Sequence, residues 1–219
     1  MKVLLTATVQ SHICQFHKPL VEVLHAHGCE VHVAARNNLA EKNGLKLDFV
    51  EKVFDIPFSR SPKSKDNLKA EKMLKQIINE GNYDVIHCNT PMGGIVTRIA
   101  AKQARKNGAR LIYTAHGFHF YEGSPKKNWM VYYPIEKYFS RKTDTLITIT
   151  HEDYRLAKKK FHCQVEHIHG VGVDENRYFP VSKEEKLRLR KEMGFGENQK
   201  LLLLNLSMLI KKQHQPIHY

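Results

Sequence analysis

The stretch Leu111-Ile112-Tyr113-Thr114-Ala115-His116-Gly117-Phe118-His119-Phe120-Tyr121 decides the fold of this chain. Its first part, β-branched and aromatic from Leu111 to Thr114, has the composition of a short buried strand. The strand stops at the small Ala115 and places a histidine, a glycine and an aromatic run just past its carboxyl end. In an open α/β sheet, ligands bind there. His116 could act at such a place as a hydrogen-bond donor, a general base or a metal ligand, and Gly117 lets a substrate or a second backbone come close. A strand followed by a turn with a solvated histidine explains the same string, so the surroundings must decide.

Outward from this stretch, strand and helix patterns alternate. Residues 3–9 read as a buried strand, and 13–27 as one amphipathic helix with Phe16, Leu20, Val23 and Leu24 on its apolar face. Gly28 closes that helix and 30–35 is the next strand, making a β-α-β unit. A weaker strand over 47–54 precedes a polar, basic loop at 59–65. The helix at 67–80 follows, with Leu68, Met73, Leu74, Ile77 and Ile78 inward and Gly81 at its end. After a strand at 83–88, Thr90 as N-cap and Pro91 in the first turn open a helix that runs toward Gly108. Residues 128–141 have helical spacing in which Pro134 imposes a kink or a break. A strand at 145–150, a basic helix at 152–161 and a strand at 165–168 complete the series. Alternation of this kind predicts a doubly wound, mostly parallel sheet with helices on both faces.

The chain has 219 residues, 42% of them hydrophobic, enough for a proper core. Residues 1–9 lack the small-residue cleavage site of a secretory leader and read as a strand. No apolar run approaches the roughly 20 residues that span a bilayer. Four cysteines, at 14, 29, 88 and 163, include no C-x-x-C pair. Reduced thiols in a cytosolic protein are therefore expected, without a structural zinc site. The net charge of +13 points to an anionic partner: phosphorylated small molecules, membrane headgroups or nucleic acid. The last is disfavoured, because no RNP-like strand, Cys/His finger or bZIP array accompanies the charge.

Two strands end in polar groups that should converge if they are neighbours. Asn89 and Thr90 follow one, with Gly93 and Gly94 opening the next helix, and His116, Gly117 and His119 follow the other. A helix amino terminus at such a crevice favours an anion, although the two glycines could equally serve close helix-to-sheet packing. His12 and His17, in the first strand-to-helix region, are candidate substrate contacts or solvated positions. His162, Cys163, His167 and His169 are ligand-type residues, and an ordinary strand with polar neighbours explains them without a metal. Lys126, Lys127, Trp129, Tyr133, Lys137 and Arg141 interleave bases with aromatics, a pattern of membrane-interface helices and equally of a packed aromatic face with solvated bases.

The segments Ile86-His87-Cys88-Asn89-Thr90-Pro91-Met92-Gly93-Gly94, Tyr113 through Tyr121, Lys127-Asn128-Trp129 through Tyr132-Tyr133-Pro134-Ile135-Glu136-Lys137, and Gly170-Val171-Gly172-Val173-Asp174 occur in order. Together they resemble the amino-terminal half of family-four glycosyltransferases, the subgroup of capsular and exopolysaccharide assembly. The resemblance implies the GT-B fold, in which a Rossmann-like acceptor-side domain, here residues 1–180, faces a nucleotide-sugar-binding domain. It makes His116 the histidine that reaches the donor sugar near the reacting carbon. It further implies a nucleotide-sugar co-substrate, no metal or other cofactor, and a lipid-linked saccharide acceptor. The protein would then work as a peripheral enzyme on an anionic membrane, at the inner face of the cytoplasmic membrane.

The pattern departs from the family after the charged helix at 183–193. Residues 181–219 read as a linker helix and the first strand, at 201–204, of a truncated second domain. Ser207 and Met208 stand where the family has a glycine and a charged neighbour. Such a chain is expected to bind nucleotide sugar weakly if at all, to be inactive alone, and to self-associate through its terminal strand. The alternative is a non-catalytic, basic Rossmann-like module that docks on membranes or protein partners.

Overall fold

The sequence KVLLTATV is buried from Val3 to Val9, as expected of a strand covered on both faces of a parallel sheet. In the computed structural model, which describes residues 1–42, 44–172, 179–197 and 199–200, it is the first of seven strands. The order along the chain is β1 (Lys2–Val9), α1 (Gln10–Phe16), α2 (Lys18–Ala26), β2 (Glu30–Arg36), β3 (Lys52–Asp55), α3 (Asp66–Gly81), β4 (Val85–Asn89) and α4 (Pro91–Ala100). It continues with α5 (Lys102–Lys106), β5 (Arg110–Ala115), α6 (Lys126–Ser140), β6 (Thr145–Thr148), α7 (His151–Lys160), β7 (Gln164–His167) and α8 (Lys183–Glu192).

All strand pairs are parallel, in the order β3-β2-β1-β4-β5-β6-β7. Chain direction across the sheet therefore reverses between β1 and β4, the switch point where doubly wound sheets open a crevice. β5 is interior, with Cys88 opposite Tyr113 on one side and Thr114 opposite Ile147 on the other. Successive β1 residues feed opposite faces: Leu4 joins Ile86, Leu111 and Phe120 in one core, while Val3 and Leu5 join Ile13, Val31 and Val33 in the other.

Several elements differ from the sequence pattern, each for a local reason. The expected helix over 13–27 is two helices broken at His17 (φ −117°, ψ −2°), with Pro19 in the first turn of α2. Phe16 and Val23, expected in the core, are exposed. Leu68 is 70% exposed, and Ala70 takes the inward place on α3. That helix ends at Gly81, as expected, and left-handed Asn82 (φ 47°) caps it. The strand expected over 47–54 shrinks to β3, while Leu47, Phe49 and Val50 pack on the core from a loop. Residues 91–106 form two helices, α4 and α5, meeting at buried Ala101. Pro134 lies inside α6, which continues through it. The carbonyl this proline leaves without its helical partner belongs to Met130, 77% exposed, where water can serve it.

Met1–Gly172 form one compact unit, and a second begins at Val173. Within the second, the Ser182 hydroxyl accepts the Glu185 N–H to cap α8, and Arg188 pairs with Glu185 and Glu192. The end of the Gly-Val-Gly motif at Val173 and Asp174, the strand expected over 201–204, and Ser207 and Met208 lie outside the described residues. Among the described residues, no helix is long and apolar enough to cross a membrane.

Candidate active site

The switch point is built from the carboxyl ends of β1, β4 and β5. β1 passes directly into α1, and the break after α1 turns His17 back toward β4. There, buried Asn89 donates from Nδ2 to the Thr6 carbonyl (3.3 Å), which fixes the direction of its amide. Its Oδ1 faces His17 Nε2 at 3.0 Å and His116 Nε2 at 3.4 Å. An amide oxygen can only accept, so both imidazoles present Nε2–H to it. For His116 this leaves the Nδ1 lone pair as the basic position.

Four histidines crowd this centre. His12 packs edge-on against His116 with ring centroids 4.7 Å apart, and His87 lies 6.0 Å from His17 while bonding the Thr114 hydroxyl (2.8 Å). Burial lowers the pKa of His116 below the ordinary histidine value. Burial, reinforced by His116 and His17, takes His12 down to about 3, and burial first, then His17 and His116, does the same to His87. His17 is lowered by burial against the opposing effect of its bond to Asn89. At neutral pH the cluster is a set of uncharged donors and acceptors.

Thr90 is the strained residue. It sits at φ 65° and ψ 148°, a region nearly reserved for glycine. Its hydroxyl accepts the Thr8 N–H (3.0 Å), meets the Thr8 hydroxyl (2.7 Å) and donates to the Asn89 carbonyl (2.5 Å). The N-cap bond expected of Thr90 is therefore absent: the side chain ties β4 to β1. Gly93 and Gly94 are packed tightly at the start of α4. A Cβ on Gly93 would come within 3.0 Å of Thr8 N, and one on Gly94 within 2.7 Å of the Tyr113 ring, so both serve close packing of α4. Gly117 takes φ 125°, and the next N–H, of Phe118, is held by the Asp153 carboxylate (3.2 Å). Asp153 thus fixes the loop after β5.

Beside the cluster lies a cavity of about 630 Å³. Its polar lining includes Thr8, Ser11, His12, Gln15 and Thr90, and its apolar lining Met92, Ile95, Phe118, Val131 and Ile135. Gly117 and His119 also line it, His119 stacking on Tyr132 at 4.7 Å. Arg60 is the single Lys or Arg among its lining residues. Arg60, Gln15 and Glu136 were not singled out from sequence, because each reaches the cavity from an element whose partner only the fold reveals.

The bases and aromatics of α6 separate. Trp129 and Tyr133 pack on Phe120 at centroid distances of 5.5 and 5.6 Å, so these two, expected at a membrane surface, are bound up in packing. Met130, Tyr132, Ile135 and Tyr138 are exposed instead, with exposed Lys126, Lys127 and Arg141 flanking them and Lys137 half-buried over Tyr133. The group His162, Cys163, His167 and His169 also divides. Cys163 packs against the core and the His162 N–H bonds the Ser140 hydroxyl, whereas His167 and His169 gather with His151.

A doubly wound parallel sheet with a neutral polar crevice at its switch point defines a Rossmann-like domain of the GT-B type. The chain belongs to the glycosyl transferase 4-like family, whose model matches residues 2–150. It is 43% identical over 218 residues to the EpsD protein of Bacillus subtilis, covering 99% of this chain and 56% of that protein. It is 25% identical over 168 residues to the UDP-Gal:α-D-GlcNAc-diphosphoundecaprenol α-1,3-galactosyltransferase of Escherichia coli, covering 74% of this chain and 43% of the enzyme. The chain thus spans about half the length of these relatives. Among solved structures, Anabaena HepE bound to UDP and glucose superposes with a TM-score of 0.58 at 19% identity, over 89% of this chain and 50% of that one. At that identity the likeness speaks for the fold.

Proposed function

We propose that this chain is the acceptor-side half of a glycosyltransferase that moves a sugar from a nucleotide-sugar donor to a lipid-linked saccharide in surface polysaccharide assembly. The observation that carries this reading is His116, held neutral and bonded to Asn89, packed against His12 and followed by Gly117, both of which line a cavity with mixed polar and apolar walls. Sugar transfer passes through an oxocarbenium-like state whose leaving group is a nucleotide diphosphate. Uncharged donors near the sugar stabilise its hydroxyls without opposing the developing positive charge, while cations belong at the phosphates.

Residues 1–180 form the acceptor side in this reading, and the donor's nucleotide is held mainly by a second domain. The saccharide lies against Thr8, Ser11, His12 and Gln15, with His17 supporting His116 through Asn89. Arg60 meets the acceptor's diphosphate, and the lipid leaves along Val131, Tyr132 and Ile135, which both line the cavity and are exposed. The Escherichia coli relative acts on a diphosphoundecaprenol-linked sugar, an acceptor of this shape and charge. The exposed apolar face of α6 and its flanking bases would rest on the inner face of the cytoplasmic membrane.

A chimera in which this chain replaces the matching part of the Bacillus subtilis relative tests the reading. Transfer to a diphosphopolyprenyl saccharide is expected, with His116→Ala and Asn89→Ala lowering kcat by about 100-fold, comparable to loss of one preorganised donor. Arg60→Gln should raise the acceptor KM with little change in kcat. The isolated chain should bind nucleotide sugars weakly and turn nothing over. A chimera that is folded, binds donor and is indifferent to His116→Ala would overturn it.

A further inference from the structure

At the carboxyl ends of the edge strands, three strands along the sheet from β4, three histidines converge that the activity above leaves unused. His151 is the first residue of α7, His167 the last of β7, and His169 lies two residues beyond. The pairing of Thr148 with His167 and the bond from the Ile168 N–H to the Thr148 carbonyl (3.0 Å) hold the chain to the sheet as far as Ile168. His169 sits in the bend that follows, where the Gly170 N–H bonds the Ile168 carbonyl (2.9 Å). Thr150 fixes the third member by accepting the Asp153 N–H at the start of α7. A sheet edge and a capped helix, rather than a loose tail, present the three rings.

One imidazole nitrogen from each lies within 4.8 Å of the others. The rings of His151 and His167 stack at 4.1 Å, and His169 meets His167 edge-on at 5.0 Å. His151 and His169 are exposed and His167 half-buried, so solvent reaches the group. None of the three lines the cavity beside His116.

We propose that His151, His167 and His169 form a binding site for one divalent transition-metal ion, zinc by ligand type, with its fourth position open to water or an oxygen anion. Three imidazoles with a free position form an established zinc set, and nitrogen donors exclude magnesium or calcium as the preferred occupant. Two nitrogens on one zinc stand about 3.4 Å apart at Zn–N bonds of roughly 2.0–2.1 Å in a tetrahedron. Closing from the present spacing requires the stacked His151 and His167 rings to tilt apart so that both in-plane lone pairs meet at one ion, a rotation of χ1 and χ2 that the exposed His151 is free to make.

The test uses the full 219-residue chain, purified without a histidine tag and titrated with zinc in competition with a chromogenic chelator. One equivalent should bind per chain. His151→Gln and His169→Gln should each weaken it at least tenfold, since even loss of a residue behind a ligand costs 10–100-fold. Both are exposed, so far-UV circular dichroism should be unchanged. His162→Gln and Cys163→Ser should leave affinity intact, and the cobalt-substituted protein should lack a thiolate charge-transfer band. Absence of saturable one-to-one binding would overturn the proposal. So would binding that survives both triad substitutions, or that disappears on replacing Cys163 or a histidine outside the triad.

Discussion

At the scale of single residues, the site is governed by what burial does to imidazole. His12 and His87 are held at about 3 against an ordinary 6.5, so the folded protein resists a proton that the unfolded chain accepts. Above pH 6.5 neither state is protonated and nothing is lost. As pH falls below that, the unfolded state binds more protons, and stability should drop by roughly 1 kcal/mol per pH unit for each histidine. His17 and His116 act in the same direction. Urea unfolding at pH 7 and pH 5 should show this loss, and His87→Gln should flatten it; an unchanged slope would contradict burial as the cause. A second buried group is Arg98, 1% exposed, whose guanidinium bonds Glu136 at 2.9 Å and stacks 4.1 Å over Tyr113. Arg98→Met leaves a buried carboxylate and should cost about 3–5 kcal/mol, while adding Glu136→Gln should recover much of that. Additive losses in the denaturation cycle would mean the two charges are not coupled.

At the scale of elements, α4 is placed by absence of side chains. Gly93 lets it approach β1 until a Cβ would stand 2.7 Å from Thr90 Oγ1 and 3.1 Å from the Ala7 carbonyl carbon. Strand backbone cannot yield as a flexible side chain does. Gly93→Ala should therefore cost about 1–3 kcal/mol by overpacking, although alanine is the better helix former. A stability equal to or above that of the parent in urea would show that α4 has room. The same substitution should disturb Thr90, whose hydroxyl joins the two strands at that point.

At the scale of the whole molecule, a net charge of +13 and an exposed apolar helix face lead to the same expectation. Vesicles containing anionic lipid should bind the chain in low salt and release it as salt rises, because exposed charges are screened beyond about 8 Å at physiological ionic strength. Met130→Glu with Tyr138→Glu should weaken binding without lowering stability, both side chains being exposed. Equal binding to neutral vesicles would assign the contact to apolar surface alone.

Local sequence already pointed to the α/β class: continuous apolar runs such as 111–115 alternate with helical spacing, the pattern of parallel strands joined by crossover helices. It also determined that Asn89, Thr90 and His116 stand at or just past strand ends, since a strand's exit is a local property. Strand order was not legible. Only the packed sheet sets β1 beside β4, and through that brings His17 to Asn89 and Thr8 to Thr90, pairs separated by 72 and 82 positions. The direction of each face was likewise a tertiary matter. Trp129 turns inward because Phe120 waits there, and Leu68 turns outward because the face of α3 that the core covers is the one carrying Asn67, Ala70, Leu74 and Ile78. Periodicity reports that a helix has an apolar stripe; which residues of that stripe are covered depends on the neighbour, and the neighbour comes from elsewhere in the chain.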